Sequence, residues 1–187
     1  PTTEPPTTEP PTTVPPTTAP PVTEPSADAA FTFRLEDDGT LAITGYTGSD
    51  TAVVIPDRIG GVPVTEIDSQ AFANQQNITS VLIPASVTDI ESDAFLFCSS
   101  LAAFSVDPAN RFYSTDENGV LFNQNKTELV LMPAGAALTS YAIPSGVTEI
   151  DSHAFFFCAG LTSVAFPQTL REIGDYAFYG CSGIGEA

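Results

Sequence analysis

The sequence predicts a repeat solenoid, in which short parallel β-strands joined by short helical turns stack along one axis. Three observations support this fold class. The same apolar frame recurs in four segments of the 187-residue chain. Each segment contains two short extended stretches, and one of them alternates between apolar and polar residues as a β-strand does. No single copy can bury its own apolar side, whereas stacked copies bury a continuous one.

The first 28 residues differ in composition from the rest of the chain. Residues 1–25, PTTEPPTTEPPTTVPPTTAPPVTEP, contain only Pro, Thr, Glu, Val and Ala. Such a segment has almost nothing to bury, so we expect a disordered Pro/Thr-rich linker over residues 1–28. Pro-rich chains favour extended polyproline II at about 3.1 Å per residue, so this linker could span roughly 75 Å. A PxxP ligand is the alternative, but it lacks the basic flank that often accompanies such sites.

The two ends of the sequence suggest a piece of a longer chain. The sequence opens within the linker, closes at GCSGIGEA, and contains no signal peptide or transmembrane run. Pro/Thr spacers are typical of exported proteins with several modules. We therefore expect a fragment of an exported multi-domain protein, with the folded domain over residues 29–187.

Residues 29–61 are predicted to form an N-terminal cap. The stretch FTFRLEDDGTLAITGY favours a β-hairpin that turns at Asp37-Asp38-Gly39. AVVIP follows it and has the pattern of the strands in the repeats. A hairpin over the first repeat would cover the apolar end of the solenoid.

The regular repeats occupy residues 62–107 and 145–187, two in each block, and the last is truncated. Within each block, equivalent positions such as Ile67 and Ile90, or Phe155 and Phe178, are separated by 23 residues. The four segments are VTEIDSQAFANQQNITSVLIP from Val64, VTDIESDAFLFCSSLAAFSVD from Val87, VTEIDSHAFFFCAGLTSVAFP from Val147 and LREIGDYAFYGCSGIGEA from Leu170.

Each part of the frame has a physical interpretation. In SVLIP, Val81 and Ile83 face one side of a short strand, and Pro84 ends it because proline donates no ladder hydrogen bond. A Ser or Asp stands two residues before each Ala-Phe pair, where we expect it to N-cap one helical turn that carries Ala-Phe inward. These capping residues are Ser69, Ser92, Ser152 and Asp175.

Residues 108–144 are predicted to be a degenerate repeat that carries an inserted β-hairpin. The stretch FYSTDENGVLFNQNKTELVLMP contains two apolar strands, Val120 to Phe122 and Leu129 to Met132, around a polar turn. LTSYAIP, from Leu138 to Pro144, then restores the strand frame. Insertions in solenoids often lie on a binding edge.

The shared frame, V-T-x-I-x-x-x-A-F-x-x-C-x-x-L-x-x-V-x-I-P, resembles the BspA-like (treponemal-type) leucine-rich repeat. The resemblance covers roughly Val53 to Ile184. It implies a curved solenoid with a parallel sheet on one face. It also implies a secreted or cell-surface protein that functions in adhesion or protein binding and has no characteristic active site.

The aligned Phe and Cys residues are predicted to form the structural core. Because the number of Cys residues is odd, at least one thiol has no partner within the chain. Neighbouring strands lie about 4.8 Å apart, whereas disulfide Cβ atoms lie near 3.8 Å, so buried free thiols are expected. The predicted core residues are Phe72, Phe95, Phe155, Phe178, Cys98, Cys158 and Cys181.

The two positions after each core Phe form a candidate partner-binding stripe. The resemblance implies Tyr and then Gly or Asn at these positions, so Phe97 and Phe157 depart from the pattern. Two interpretations remain open: the rings pack against one another and the inserted hairpin, or they form an exposed stripe that binds a protein or a glycan. The candidate stripe consists of Leu96, Phe97, Phe156, Phe157 and Tyr179.

Charge and composition argue against several functions. The formal net charge is −18, which disfavours binding to nucleic acids and to anionic membranes. The recurring acidic positions, such as Glu66 and Asp89, are interpreted as a solvated negative face. No zinc-type CxxC motif is present, and the single histidine, His153, lies in a variable column. We therefore predict no catalytic, metal or cofactor site, and hence no enzyme.

These observations favour a non-catalytic protein–protein interaction or adhesion module of an exported multi-domain bacterial protein. The expected partner is a protein or a host-surface ligand, with neighbouring modules of the full-length chain beside it. The alternative is a glycan-binding or accessory module of a plant-fibre-degrading, cellulosome-like complex, for which the partner would be a polysaccharide. The expected location is extracellular, secreted or on the cell surface, without membrane insertion.

Overall fold

A computed structural model describes residues 27–185, in which fifteen short strands form successive turns of a solenoid. The predicted linker lies outside the described residues except for Ala27 and Asp28, which begin a 3-10 helix (Ala27–Ala30). The predicted domain boundaries remain expectations.

The strands are two to six residues long. They are β1 (Phe31–Leu35), β2 (Leu41–Tyr46), β3 (Ala52–Val54), β4 (Arg58–Ile59), β5 (Val62–Ile67), β6 (Ser80–Ile83), β7 (Asp89–Ile90), β8 (Ala103–Val106), β9 (Tyr113–Thr115), β10 (Leu121–Asn123), β11 (Glu128–Leu131), β12 (Ser140–Ala142), β13 (Glu149–Ile150), β14 (Ser163–Ala165) and β15 (Glu172–Ile173).

Parallel pairing between neighbouring repeats confirms the solenoid. On one side the order is β3-β6-β8, then β12-β14 after the insertion. On the other side, β2, β5 and β7 pair in parallel, and β11, β13 and β15 do so beyond the insertion. The register advances by one repeat at each step, as in Ser80 opposite Ala103 and Glu149 opposite Glu172.

The N-terminal hairpin is present as predicted. Strands β1 and β2 pair antiparallel, and β2 continues in parallel onto β5 of the first repeat. The turn closes through Gly39 N–H to Glu36 O at 3.0 Å, and Gly39 has a φ of 85°, which glycine adopts at little steric cost.

Stacked aromatic rings form the central column of the core. The rings of Phe72 and Phe95 lie 4.9 Å apart and within 11° of parallel. Those of Phe155 and Phe178 lie 4.7 Å apart at 14°. Tyr46 of the hairpin stacks on Phe72 at 5.7 Å and begins the column. Each ring therefore buries a face against the equivalent ring of its neighbour.

Met132 occupies the column position of the degenerate repeat. Its backbone N–H donates to Ala154 O of the next repeat at 2.7 Å. Phe72 N–H makes the equivalent bond, to Ala94 O of its next repeat at 2.8 Å. The side chain is buried, so a flexible thioether fills the space that a ring fills elsewhere. Met132 keeps the 23-residue spacing to Phe155, but the sequence pattern misses this position because Leu131-Met132 replaces the Ala-Phe pair.

The Ala-Phe segments form tight turns rather than regular helix, and the predicted N-cap at Ser69 is wrong. The segments consist of turns such as Ala71 N–H to Asp68 O, at 3.1 Å. Ser69 Oγ instead donates to Asp93 Oδ2 of the next repeat at 2.8 Å. A continuous right-handed helix through Gln70 and Asn74 is excluded because their φ values are 57° and 65°, in the left-handed region.

The inserted hairpin joins the two halves of the core. Strands β10 and β11 lie close to the predicted strands, whereas β9 was not predicted. Leu121 and Val130 pack with the N-terminal half of the core, and Phe122 and Leu129 with the C-terminal half. Successive residues of a strand face opposite sides, so β10 and β11 contribute side chains to both halves of the core.

Asn110 holds the insertion against the second repeat. Its side chain is buried, and Nδ2 donates to Pro84 O at 2.7 Å and to Val87 O at 3.0 Å. Its Oδ1 accepts from the backbone N–H groups of Phe112 and Tyr113 at 2.8 and 2.9 Å. All of its hydrogen-bonding capacity is thus used, as burial of an amide requires.

The three Cys side chains are buried, free thiols that bond to the backbone. Cys98 Sγ donates to Phe72 O at 3.1 Å, and Cys181 Sγ donates to Phe155 O at 2.9 Å. In the first repeat, Gln75 Nε2 takes the same position and donates to Tyr46 O at 2.8 Å. This column therefore supplies a donor to a carbonyl of the preceding turn. Burial raises the pKa of the Cys98 thiol to about 11 and suppresses its reactivity.

Replacing one column ring tests how much stacking contributes. Phe155 is fully buried, whereas Phe178 is partly buried. We expect Phe155→Ala to lower the free energy of unfolding by about 3–5 kcal/mol, and Phe178→Ala to lower it by clearly less. Urea unfolding of the full chain measures both. Equal losses for the two variants would contradict burial of the column as described.

Candidate binding surface

The structure brings the predicted stripe residues together along the corner that follows the core column. We call Leu96, Phe97, Phe156, Phe157 and Tyr179 the aromatic stripe. Phe97, Phe157 and Tyr179 are 42%, 41% and 55% exposed, and Leu96 and Phe156 are half-buried. The rings therefore contact one another and still present their outer surfaces to solvent, and binding through the stripe stays a prediction.

The stripe is continuous across the repeats that it joins. The ring of Phe97 lies 5.2 Å from those of Phe156 and Phe157. Tyr179 stacks on Phe156 at 5.5 Å and lies 5.8 Å from Phe157. These separations are within the range of favourable aromatic pairs.

Two further rings extend the stripe and were missed in the sequence. His153 stacks on Tyr176 at 5.6 Å, and Tyr176 lies 6.1 Å from Tyr179. Both residues lie in the column that also contains Gln70 and was interpreted as variable. Both residues have a left-handed backbone, with φ of 58°, which the sequence does not reveal.

Phe97 and Phe157 occupy a backbone conformation that disfavours bulky residues. Their φ values are 61° and 56°. The equivalent residues in other repeats are Asn74, at 65°, and Gly180, at 78°, which are the residue types that tolerate this region. A left-handed conformation costs an ordinary residue about 1–2 kcal/mol. Aromatic side chains therefore stand at these two positions against the local preference of the backbone.

A notch lies beside Ala134, next to the touching rings of Phe97 and Phe157. The degenerate repeat has Pro133-Ala134 where its neighbours have Leu96-Phe97 and Phe156-Phe157, so a small side chain separates two large ones. The resulting cavity of about 310 Å³ is lined by Phe97, Phe157, Ala134, Gln76, Ser99, Ala159 and Gly160.

The absence of a side chain at Gly180 leaves space for the ring of Phe157. A Cβ atom at residue 180 would lie 2.7 Å from Phe157 Cδ2, closer than non-bonded carbon atoms approach. The ring of Phe157 therefore lies over the backbone of the last repeat, and this contact helps to fix the C-terminal wall of the notch.

The acidic positions lie along the β5-β7 and β13-β15 ladders, where like charges are direct neighbours. Glu66 stands opposite Asp89, and Glu149 opposite Glu172. Burial, followed by nearby carboxylates, raises the pKa of Glu66. Arg34 of the hairpin offsets part of this repulsion through salt bridges to Glu36, at 2.8 Å, and to Asp68. Within residues 27–185, no group of three or more His, Cys, Asp or Glu side chains is arranged to hold a metal ion.

A second, polar cavity of about 500 Å³ lies where the β3-β6-β8 sheet is interrupted before β12. Its central carboxylate is committed to the fold: Asp116 Oδ1 accepts from Asn118 and Val120 N–H, each at 2.9 Å. Tyr141 Oη donates to Asp116 Oδ2 at 2.8 Å. These bonds shape the inserted loop and leave the aromatic stripe as the stronger candidate surface.

The stripe provides apolar contact area and few ionisable groups. His153 Nδ1 lies 3.4 Å from Ser92 Oγ, while the thiols are buried and bonded to backbone carbonyls. Nucleophilic catalysis needs a nucleophile, a base and an oxyanion site around one reacting atom, and the stripe does not assemble them. Among residues 27–185, none of the helices has the length and apolar character needed to cross a membrane.

Comparison with known proteins identifies the family. The model of the BspA type leucine rich repeat region matches residues 52–129 and 134–186 in six copies. These ranges cover well over half of the chain, which therefore belongs to the BspA-type leucine-rich repeat family. None of the curated proteins matches the chain. Proteins of this family are typically protein-binding or surface modules and are generally non-catalytic.

Solved structures agree with this assignment. A leucine-rich repeat protein from Eubacterium ventriosum is 28% identical, with a TM-score of 0.56, over 69% of this chain and 33% of that one. The pneumococcal vaccine antigen PcpA is 27% identical, with a TM-score of 0.61, over 68% of this chain and 31% of that one. The chain thus spans about a third of each. A leucine-rich cell surface protein from Faecalibacterium prausnitzii, 24% identical over 84% of this chain and 52% of that one, shares the fold with a TM-score of 0.53.

The unusual backbone at Phe157 predicts an unusual order of stabilities. At this φ of 56°, glycine avoids a cost that alanine incurs, so we expect Phe157→Gly to be more stable than Phe157→Ala by about 1 kcal/mol. Phe156 has no positive φ, so there we expect Phe156→Ala to be the more stable variant, by about 0.5–1 kcal/mol.

Urea unfolding of Phe157→Gly, Phe157→Ala, Phe156→Gly and Phe156→Ala measures these differences. If alanine is the more stable replacement at both positions, the left-handed assignment at residue 157 is wrong.

Proposed function

We propose that the folded part of this chain is a non-catalytic protein-binding module, presented outside the cell, and that the aromatic stripe is its contact surface. The observation that carries the proposal is the exposure of contiguous rings at two positions where the backbone disfavours them. Strained conformations persist where the surrounding structure holds them, and they cluster at functional sites. Packing alone would be met by Asn or Gly, as in the first and last repeats.

The arrangement of the rings favours a protein partner over a polysaccharide. Phe97 and Phe157 are inclined at 57° to each other, and Phe157 and Tyr179 at 52°. Sugar rings of a glycan chain stack best on a row of coplanar faces, which these tilted rings do not provide. Tilted rings around a notch instead offer a pocket for an apolar side chain, the usual form of a protein-binding hot spot.

An extracellular location is supported by the family and by its relatives. Similar structures include one described as a vaccine antigen and one described as a cell surface protein. The Pro/Thr composition of residues 1–28 is that of a spacer, which would hold the repeat domain away from its point of attachment. An adhesive role and a place in a larger exported chain are consistent with these features.

Site-specific photo-crosslinking tests this function. A p-benzoyl-phenylalanine at Phe157 samples the stripe, and one at Phe112, which is 49% exposed on the insertion, serves as a matched control. With extracellular proteins from the bacterial culture or from a mucosal surface, we expect crosslinked products that depend on the position 157 probe. Purified partner should then bind Phe157→Gly at least about tenfold more weakly, as for a hot-spot residue, and Phe112→Ala unchanged.

Two results would count against the proposal. Equal crosslinking from positions 157 and 112 would mean that the stripe is not the contact surface. Retention of the unmodified chain on insoluble polysaccharide, lost in Phe157→Gly, would instead establish the glycan-binding alternative.

A further inference from the structure

We propose that the open edge of β12 binds an extended peptide segment of a partner protein. The segment carries a basic side chain and joins the β12-β14 sheet as an added strand. This site lies in the polar cavity beside the inserted loop and shares no residue with the aromatic stripe. The inference goes beyond the proposed function and does not rest on it.

Strands β8 and β12 belong to consecutive turns of the solenoid but do not pair. Phe104 of β8 follows the column residue Phe95 by nine residues, and Tyr141 of β12 follows Met132 by nine. Elsewhere such strands pair directly, as β6 does with β8 and β12 with β14. Within residues 27–185, β12 has a neighbouring strand only on the β14 side. Its other edge therefore opens in the middle of the solenoid.

The peptide groups of Ser140 and Ala142 lie on this open edge. In a parallel sheet, successive residues of a strand direct their peptide groups to opposite neighbours. Thr139 O and Ile143 N–H both bond on the β14 side, at 2.7 and 3.0 Å. Ser140 and Ala142 therefore direct their N–H and C=O groups away from β14, toward the interruption.

The equivalent groups are hydrogen-bonded in β6, which has a neighbouring strand on both sides. Ser80 N–H donates to Thr51 O at 3.2 Å, and Leu82 O accepts at 3.1 Å from the residue after β3. Among residues 27–185, Ser140 N–H and Ala142 O have no partner of this kind. An exposed strand edge pairs with an extended peptide, whose own N–H and C=O groups alternate at the same spacing.

The inserted loop shows the same chemistry on β8. Phe104 N–H donates to Gly119 O at 2.9 Å, so a peptide carbonyl of the loop takes the place of a neighbouring strand. A side chain at residue 119 would clash with Ala103, so glycine permits this approach. The loop thus covers part of the edge of β8 and leaves that of β12 open.

The cavity beside β12 has the size of a short strand. Its volume is about 500 Å³. A strand residue takes up about 160 Å³, given a rise of about 3.3 Å, a strand separation of about 4.8 Å and a sheet spacing of about 10 Å. The cavity thus has room for about three residues, which is the length of β12. The side chains of Ser140 and Ala142 are small and exposed, so they do not obstruct a peptide beside them.

Charge favours a basic side chain on the peptide. The ionisable groups of the cavity lining include Asp116, Glu117 and Lys126. Asp116 bonds to its own loop and to Tyr141, while Lys126 Nζ donates to Thr115 O at 3.0 Å. Glu117 is exposed, and none of the salt bridges among the described residues involves it. A Lys or Arg on the peptide would pair with Glu117, whereas a chain of formal charge −18 repels an acidic peptide.

Peptides selected on the full chain test this site. A displayed library of random short peptides, selected on the immobilised protein, supplies the probe, and we expect the selected sequences to contain Lys or Arg. In NMR spectra of the unmodified chain, a selected peptide should shift the backbone amide signals of Ser140 and Ala142 until they saturate. The signals of Ser80 and Leu82, at the equivalent positions of the covered strand β6, should not move.

Two proline variants separate β12 from another strand edge. Ala142→Pro removes an N–H of the open edge without touching the bonds that Thr139 and Ile143 make on the β14 side. We expect it to bind the selected peptides at least about tenfold more weakly, as loss of a hydrogen bond implies. Val54→Pro, at the equivalent position of the edge strand β3, should bind them as the parent chain does.

Three results would overturn the inference. They are equal binding of the peptides to Ala142→Pro and to the parent, failure to select any peptide, and amide shifts at Ser80 and Leu82 as large as those at Ser140 and Ala142. If Ala142→Pro does not fold, the amide shifts in the parent chain decide alone.

The aromatic stripe gives a different pattern. Binding that is lost in Phe157→Gly but kept in Ala142→Pro would overturn the β12 site and support the stripe. Binding that is lost in Ala142→Pro but kept in Phe157→Gly supports the β12 site, whatever crosslinking from residue 157 shows. Failure of one surface is therefore distinguishable from failure of the other.

Discussion

In-register stacking of apolar side chains is the interaction on which the rest of the structure depends. Phe72 on Phe95 and Phe155 on Phe178, with Met132 in the intervening turn, give each repeat a buried face that it cannot form alone. The backbone follows the same step, because strands of neighbouring repeats pair in parallel along both sides. The inserted hairpin interrupts the strand pairing on both sides, and β11 then takes the place of a repeat strand by pairing with β13.

The same regularity produces the candidate surface. The stacking aligns the residues that follow each core Phe. A side chain at such a position therefore lies next to the side chain at the equivalent position of a nearby repeat. Phe97 and Phe157 meet in this way, and the notch lies beside them at the small Ala134. Their left-handed backbone is maintained by the column beside them, which is why a local preference for Asn or Gly can be overridden.

The sequence predicted those features that recur at fixed spacing. The repeat strands, the parallel stacking and the alignment of the Phe positions follow from the 23-residue frame, and the hairpin cap follows from the turn at Asp37-Asp38-Gly39. The features that it did not predict depend on contacts specific to one repeat. Met132 replaces a ring at the repeat spacing but without the Ala-Phe pair, β9 is fixed by Asn110, and His153 and Tyr176 join the stripe through backbone angles that composition does not reveal. The N-cap was wrongly predicted because a Ser before Ala-Phe looks like a capping residue, whereas Ser69 bonds to the next repeat.

A double-mutant cycle between Phe72 and Phe95 measures the stacking most directly. The two rings lie 4.9 Å apart, so their Ala variants should be non-additive, with a coupling of about 0.5–1.5 kcal/mol in the free energy of unfolding. Phe72 and Phe178 share no contact and should be additive within about 0.5 kcal/mol. Additive effects for Phe72 and Phe95 would contradict the account, because they would mean that equivalent side chains of neighbouring repeats do not support one another.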